Sequence, residues 1–256
     1  MEMIPLKTQL MKGPFCFMDE LKRAIRKNHI QFEDGDILVI SGKFLAMSEG
    51  RYVNLEEIVP LKDSEAYASQ YKISAALAET VIRESDLVLK GLQGFLLTIK
   101  DGFFAPNAGV DRSNIQKGMA ILHPSDASAF AAQIRREVLL ILGVKVGVVI
   151  TDSRLLPLRR GTGGVSIGSS GIITVADDRG REDLFGNRMK VTRRAIADNL
   201  STAAQLLMGE SDENIPIVIV RGLETYIIDE DGYDLSINPN ECIFVRGLTN
   251  YKDIRS

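Results

Sequence analysis

Three acidic residues stand where their surroundings could turn a carboxylate into a metal ligand. Asp152 follows the apolar run Val149-Ile150-Thr151, which predicts a buried strand. In α/β sheets, ligands gather outside the carboxyl ends of strands. An Asp there is placed to hold a cation, although the position also suits an ordinary loop-starting or capping Asp. Asp111 lies in Asn107-Ala108-Gly109-Val110-Asp111-Arg112-Ser113-Asn114. Such small and hydrogen-bonding residues can bring backbone close to a ligand, or simply form an Asx-rich turn. Glu210 follows Gly209 at an expected helix end. The helix dipole disfavours a carboxylate there by roughly 0.3–1 kcal/mol, a mismatch that hints at a partner cation. The chain has only two His and two Cys, so a metal site must draw on oxygen ligands. These select Mg²⁺, Mn²⁺ or Ca²⁺ over zinc, and Mg²⁺ on one or two carboxylates usually also holds substrate phosphates.

A glycine-rich stretch is the second signal. Arg159-Arg160-Gly161-Thr162-Gly163-Gly164 combines positive charge with exposed backbone amides, which suits a phosphate or a carboxylate. It is neither a Walker A loop nor a dinucleotide fingerprint, because the required Lys and third glycine are absent. By itself it is a weak signal.

The elements that must position these residues alternate between helix and strand, which predicts an α/β or α+β class. Residues 17–28 carry the Leu21, Ala24, Ile25 stripe of a helix. The turn Asp34-Gly35-Asp36 leads into a short buried strand, Ile37 to Ile40. Residues 64–84 read as one long helix capped by Ser64. Phe95 to Ile99 and Phe103 to Ala105 form a hairpin about Asp101-Gly102. Ser125 or Asp126 caps a helix ending at Gly143, and Val146 to Thr151 is a strongly apolar strand. Leu158 to Gly171 reads as the largest irregular loop. Residues 193–208 predict a helix capped by Thr192, and Ile217 to Val220 and Ile243 to Val245 predict strands. No linker marks a domain boundary, so residues 1–256 read as one unit, with any division into two subdomains unmarked.

Bulk properties exclude other classes. With 45% hydrophobic and 25% charged residues in 256, the chain can bury a sizeable core without disulfides. A net charge of -3 is not the basic footprint of a nucleic-acid binder. The apolar stretch Val138 to Ile150 is broken by Lys145 and too short to span a bilayer. Cys16 and Cys242 read as reduced core thiols, and the N-terminus lacks a signal-peptide pattern. A cytoplasmic protein with no membrane or nucleic-acid partner is therefore expected.

The ordered segments Asp34-Gly35-Asp36-Ile37-Leu38-Val39-Ile40-Ser41, Glu49-Gly50-Arg51, Asn107 to Asn114, Val149 to Ser153, Arg159-Arg160-Gly161, Asp183-Leu184-Phe185-Gly186 and Leu207-Met208-Gly209-Glu210 make the chain resemble a known family. It is the gamma-glutamyl ligases that add L-glutamate to the deazaflavin coenzyme F420-0. The resemblance spans nearly the whole chain. It implies an unusual mixed-sheet α/β fold, an intertwined homodimer, and GTP-dependent amide formation through an acyl phosphate. Two divalent ions, Mg²⁺ or Mn²⁺, are implied at each site, with K⁺ a further candidate. Asp111 and Asp152 would hold one ion, and Ser153 and Glu210 the other, so the three carboxyl groups should converge. Thr8, Gln9, Leu10, Met11, Ser41, Gly42, Lys43, Asn114, Met208, Gly209, Glu210 and Ser211 match nucleotide contacts. Arg159 and Arg160 are our candidates for orienting a carboxylate or phosphate.

The sequence departs from the family at two points. A Lys usual a few residues before Glu-Gly-Arg is Met47 here, with Lys43 available to compensate. The usual N-terminal Gly-Asp-Asp-Leu is replaced by Met18-Asp19-Glu20-Leu21. Two other readings therefore stand beside the ligase. One is a related enzyme joining an amino acid to a different carboxylate. The other is a non-catalytic nucleotide- or deazaflavin-binding homologue.

Overall fold

The computed structural model describes residues 1–231 and 235–248. In chain order its elements are β1 (Glu2–Leu6), α1 (Phe17–Lys27), β2 (Ile37–Ser41), α2 (Gly42–Glu49), β3 (Tyr52–Asn54), α3 (Lys62–Tyr71), α4 (Ala75–Glu84), β4 (Leu87–Leu92), β5 (Phe95–Lys100) and β6 (Phe103–Pro106). They continue with β7 (Met119–Ile121), α5 (Ala127–Leu142), β8 (Gly147–Leu155), β9 (Thr162–Ile172), β10 (Val175–Asp177), β11 (Arg193–Ala195), α6 (Ile196–Met208), β12 (Ile217–Arg221), β13 (Ile227–Asp231) and α7 (Ile243–Leu248). This is the mixed α/β class expected from the alternation.

The main sheet has the order β1-β12-β2-β8-β9-β13. β2 and β8 run parallel and the other neighbours antiparallel. Strands buried on both faces read as unbroken apolar runs, and period-two alternation divides them between two cores. Leu38, Ile40, Val148, Ile150, Ile217 and Ile219 pack under α1, α2 and α5. Ile37, Val39, Val149, Val218 and Val220 pack against α6. The Asp34-Gly35-Asp36 turn fastens the start of this parallel pair. Lys145 N donates to Asp34 Oδ1 at 2.7 Å, and Gly35 N donates to the Lys145 carbonyl at 2.9 Å. Asp36 is buried and takes two Arg221 bonds, at 2.8 and 2.9 Å.

A third core of Tyr71, Leu77, Val81, Leu96, Ala108 and Val110 joins α3 and α4 to the sheet β4-β5-β6. Its task is to place the Asp111 segment. Leu96 N donates to Asn107 Oδ1 at 2.9 Å, and Ala108 N donates to Thr98 Oγ1 at 3.1 Å. Two backbone bonds to Ile121, at 2.9 and 2.8 Å, then hold Asp111 itself.

Several expectations need correction. The helix expected over 64–84 is two helices. Lys72 adopts a left-handed conformation, and Ser74 caps α4 by accepting from Leu77 N at 3.2 Å. Ser64 is not a cap; it lies within α3 and donates to the Leu61 carbonyl at 2.7 Å. The glycine-rich stretch is mostly strand β9, not a loop. Its glycines admit helices: a Cβ on Gly164 would lie 2.3 Å from the Ser201 carbonyl oxygen of α6. One on Gly168 would lie 2.5 Å from the Ala127 carbonyl carbon of α5. β8 continues to Leu155, so Asp152 lies inside a strand, opposite Val165. Residues 193–195 are strand, held extended by β10 and by the Arg194–Asp178 ion pair at 2.6 Å. α6 therefore starts at Ile196, and Thr192 does not cap it. Ile243 to Val245 belongs to α7, not to a strand. Both cysteines are free, but Cys16 is exposed and Cys242 half-buried, so neither is a core thiol. No helix among the described residues is long and apolar enough to cross a membrane.

Candidate active site

The parallel pairing of β2 with β8 sets Ser41 opposite Thr151, which brings the start of α2 beside Asp152. Ser41 caps α2, its Oγ accepting from Phe44 N at 3.4 Å. A Cβ on Gly42 would lie 2.9 Å from Ile167 Cδ1 and 3.3 Å from the Thr151 carbonyl oxygen. Glycine is therefore what lets the helix begin this close to the sheet. Free amides at a helix start favour an anion. Lys43 adds an ammonium group, which donates to Asp111 Oδ2 at 2.8 Å, to Ser113 Oγ at 3.0 Å and to the Ser113 carbonyl.

Burial pushes the Asp111 pKa up. The Lys43 ammonium and the Ser113 donors more than offset this, so the carboxyl ends below its usual range. Asp152 Oδ1 accepts from Ser153 N at 2.9 Å, and Oδ2 from Arg154 Nε at 3.2 Å. Asp111, Asp152, Lys43, Gly109 and His123 share a pocket of about 30 Å³. A single water needs roughly 10–15 Å³ of such space, so the pocket has room for a cation and none for a nucleotide. Its hard oxygen donors suit Mg²⁺ or Mn²⁺.

Ser153, next along β8, sits toward α6. Its hydroxyl donates to Glu210 Oε1 at 2.6 Å, and Thr162 Oγ1 donates to the same oxygen at 3.1 Å. Gln205 Nε2 also donates to Glu210 Oε1 and lies 3.2 Å from Ser153 Oγ. Ser153 and Glu210 are thus together, as expected. The convergence of all three carboxyl groups is not seen: among the described residues no three His, Cys, Asp or Glu meet as a metal cluster. The acids form one carboxylate pair and one separate hydroxyl–carboxylate pair, because successive strand residues point to opposite sides.

Some of the residues matched to nucleotide contacts are fixed by bonds between distant segments. Asn114, in a left-handed conformation, donates to the Ser211 carbonyl at 2.7 Å. Asn214 Nδ2 donates to the Thr8 carbonyl at 3.0 Å, and Gln9 N donates to Glu20 Oε1 at 3.2 Å. Leu10 is exposed and Met11 packs on the core. Gly209 has φ 65°, and a Cβ there would meet the Glu213 carboxylate, so the Met208–Ser211 bend needs glycine. Met47 lies four residues after Lys43 in α2, on the same helix face. Arg159 and Arg160 stand exposed between β8 and β9. They make no side-chain bond among the described residues and do not line this pocket.

Other residues at the pocket carried no sequence signal that was used. Arg154 is 6% exposed and donates to Asp152, to the Phe104 carbonyl at 3.0 Å and toward His123 Nε2 at 3.4 Å. Its place two residues after Asp152 in a strand was the available clue. Burial lowers the His123 pKa, with the Asp152 charge acting against it. The Glu49-Gly50-Arg51 segment clamps the neighbouring backbone. Arg51 Nε donates to the His123 carbonyl at 3.1 Å, while Glu49 accepts from Ser125 N and Oγ. Arg51 Nη2 is anchored in turn on Glu84 at 2.6 Å.

Fold and site define a mixed α/β protein whose oxygen-donor pocket opens at the carboxyl edge of two parallel strands, beside a helix start. The sequence matches the profile of the family described as F420-0:Gamma-glutamyl ligase over residues 5–222. The chain belongs to that family. It is 40% identical over 210 residues to the coenzyme F420:L-glutamate ligase of Methanocaldococcus jannaschii, covering 82% of this chain and 84% of the relative. With the protein of the same description from Methanopyrus kandleri it shares 36% over 224 residues, 87% of this chain and 86% of the relative. With that from Methanococcus maripaludis strain C6 it shares 34% over 245 residues, 95% and 97% of the two chains.

Proposed function

We propose that the protein is a GTP-dependent ligase that joins the amine of L-glutamate to the carboxyl group of the deazaflavin coenzyme F420-0. A carboxylate does not react with an amine at neutral pH without activation. Transfer of the γ-phosphoryl group of GTP to that carboxylate would give an acyl phosphate and GDP; the glutamate amine would then attack the acyl carbon, forming the amide as phosphate leaves and the nitrogen loses a proton. The observation that carries this reading is the Asp111–Asp152 pocket set against the Ser41-Gly42-Lys43 helix start. Amides and ammonium there would receive phosphate oxygens, and the rim formed by Thr8–Met11, Asn114 and Met208–Ser211 would seat the rest of the nucleotide. Mg²⁺ or Mn²⁺ at Asp111 with Asp152, and at Ser153 with Glu210, would offset charge on the phosphates, with K⁺ a possible supplement. Lys43, one helix turn from Met47, would supply the charge that relatives place at position 47. Arg159 and Arg160, free in the hairpin, would orient the acceptor carboxylate. A homodimer acting in the cytoplasm completes the proposal.

The test gives purified protein GTP, Mg²⁺ or Mn²⁺, L-glutamate and the unglutamylated deazaflavin. GDP release that needs both glutamate and acceptor is the expected result. Asp152→Asn keeps an acceptor for Arg154 and should lower turnover by about a thousandfold while unfolding remains cooperative. Wild-type turnover in that variant would remove Asp152 from the reaction. Met47 favours one second reading, a ligase with another carboxylate acceptor; GDP release with a different acid and none with the deazaflavin would identify it.

A further inference from the structure

A second cavity, of about 460 Å³, adjoins the Asp111–Asp152 pocket and shares Ile167 with it. Asp101, Ser125, Asp126, Ser128 and Ser169 give it polar walls. Gly168 lets the first turn of α5 sit against this wall, because any Cβ there would strike Ala127 and Ser128. Ala127 and Ser128 begin that helix, so their amides have no carbonyl four residues back within it. Asp126 Oδ1 caps the helix by accepting from Ala129 N at 2.8 Å, and its other oxygen takes no bond among the described residues. Asp101 Oδ1 lies 3.6 Å from Lys100 Nζ.

His123 connects the two spaces. It lines the smaller pocket and is 4% exposed, yet its Nδ1 has no hydrogen-bond partner among the described residues. That nitrogen lies 3.8 Å from Asp101 Oδ2 in the wall of the larger cavity. A buried ring nitrogen left without a partner is unfavourable, and here it points at a carboxylate across the partition. Among the described residues, the lining of the larger cavity holds two carboxylates and no Lys, Arg or His. Such a surface repels a nucleotide or an anionic acceptor and attracts a cationic group.

We propose that this cavity is the subsite for the incoming amino acid. Its ammonium group pairs with Asp101 and Asp126, and a carboxylate is received by the amides of Ala127 and Ser128. This rests on the ligase reading and names where the amine substrate of that reaction waits. Of the reactants, only the amino acid brings a positive charge. Bound here, it stands next to the pocket where the acceptor would be activated.

Two substitutions test the subsite without disturbing the backbone. Asp101 has φ 52° and Asp126 is a helix cap, and Asn tolerates both roles. The Asp101→Asn, Asp126→Asn double variant should keep its melting temperature. Calorimetric titration uses L-glutamate and glutarate, which has the same two carboxylates but no amine. Wild-type protein should bind L-glutamate at least about tenfold more tightly than glutarate, and the double variant should lose that preference. Equal binding of the two ligands to wild type overturns the proposal. So does an unchanged glutamate affinity in the folded double variant, or no glutamate binding with or without nucleotide. The two readings fail separately. Amide formation with an unchanged KM for glutamate in the double variant removes the subsite and leaves the ligase. Asp-dependent glutamate binding with no amide formed removes the ligase and leaves an amino-acid site.

Discussion

The end of strand β8 and the tip of the β8–β9 hairpin both carry arginine, and the two regions are opposites. One residue before the end of β8, Arg154 is almost wholly buried and its guanidinium is engaged by Asp152, the Phe104 carbonyl and His123, with the Phe103 ring 5.7 Å away. At the tip, Arg159 and Arg160 are exposed and their side chains make no hydrogen bond or ion pair among the described residues. A buried cation persists only when its donors are used, so Arg154 ties the small sheet to the site. An exposed pair costs the fold nothing and is free to meet a ligand. Charge in the sequence is the same in both places; burial assigns one to architecture and leaves the other for recognition.

The largest effect should come from Arg154→Ala. It strands a half-buried Asp152 and removes the bond to the Phe104 carbonyl, and should cost about 2–4 kcal/mol in urea unfolding. A loss below ~1 kcal/mol would break the contrast. Gly164→Ala should follow, at about 1–3 kcal/mol, because its methyl meets the α6 backbone. Gly161→Ala at the tip has open space around it, and only its φ of 86° resists the change, at about 1 kcal/mol.

A pH series sharpens the comparison through His123. Burial, opposed by Asp152, holds its folded pKa below the usual range of an imidazole. Stability is therefore undiminished above the unfolded pKa. It drains away as pH falls below it, since the unfolded chain takes up the proton first. His123→Gln should flatten the fall in melting temperature between about pH 7 and about pH 5; an unaltered slope assigns it to other groups. The smallest effect belongs to the tip. The Arg159→Ala, Arg160→Ala double variant should keep its melting temperature and raise the KM for the acceptor by about threefold, the size of an exposed charge contact. A drop in stability would mean that the pair is part of the architecture after all.

Local patterns were legible where one stretch of chain supplies its own partner. The Asp101-Gly102 hairpin, the Asp126 cap and the Gly143 helix end are bonds within a few residues of each other. Gly164 and Gly168 were misread because glycine marks a flexible loop and a close helix contact with the same letter. The Ser74 cap was hidden inside an apolar stripe that continues past it. At the site, Lys43 with Asp111 and Ser153 with Glu210 were readable only as residue types placed by resemblance. Arg154 and His123 were passed over because nothing near them in sequence shows that they are buried.

By itself, then, the sequence determined the unbroken apolar runs that make β2, β8 and β12, the oxygen character of the site, and through its ordered motifs the family. Tertiary structure alone decided that Asp152 and Ser153 serve different groups of neighbours. It also decided which arginine is enclosed and that a carboxylate-lined cavity lies behind His123. The physical reason is range. Strand and helix patterns arise from bonds a few residues long, whereas burial, charge pairing and cavities depend on which distant segments the sheet order brings together.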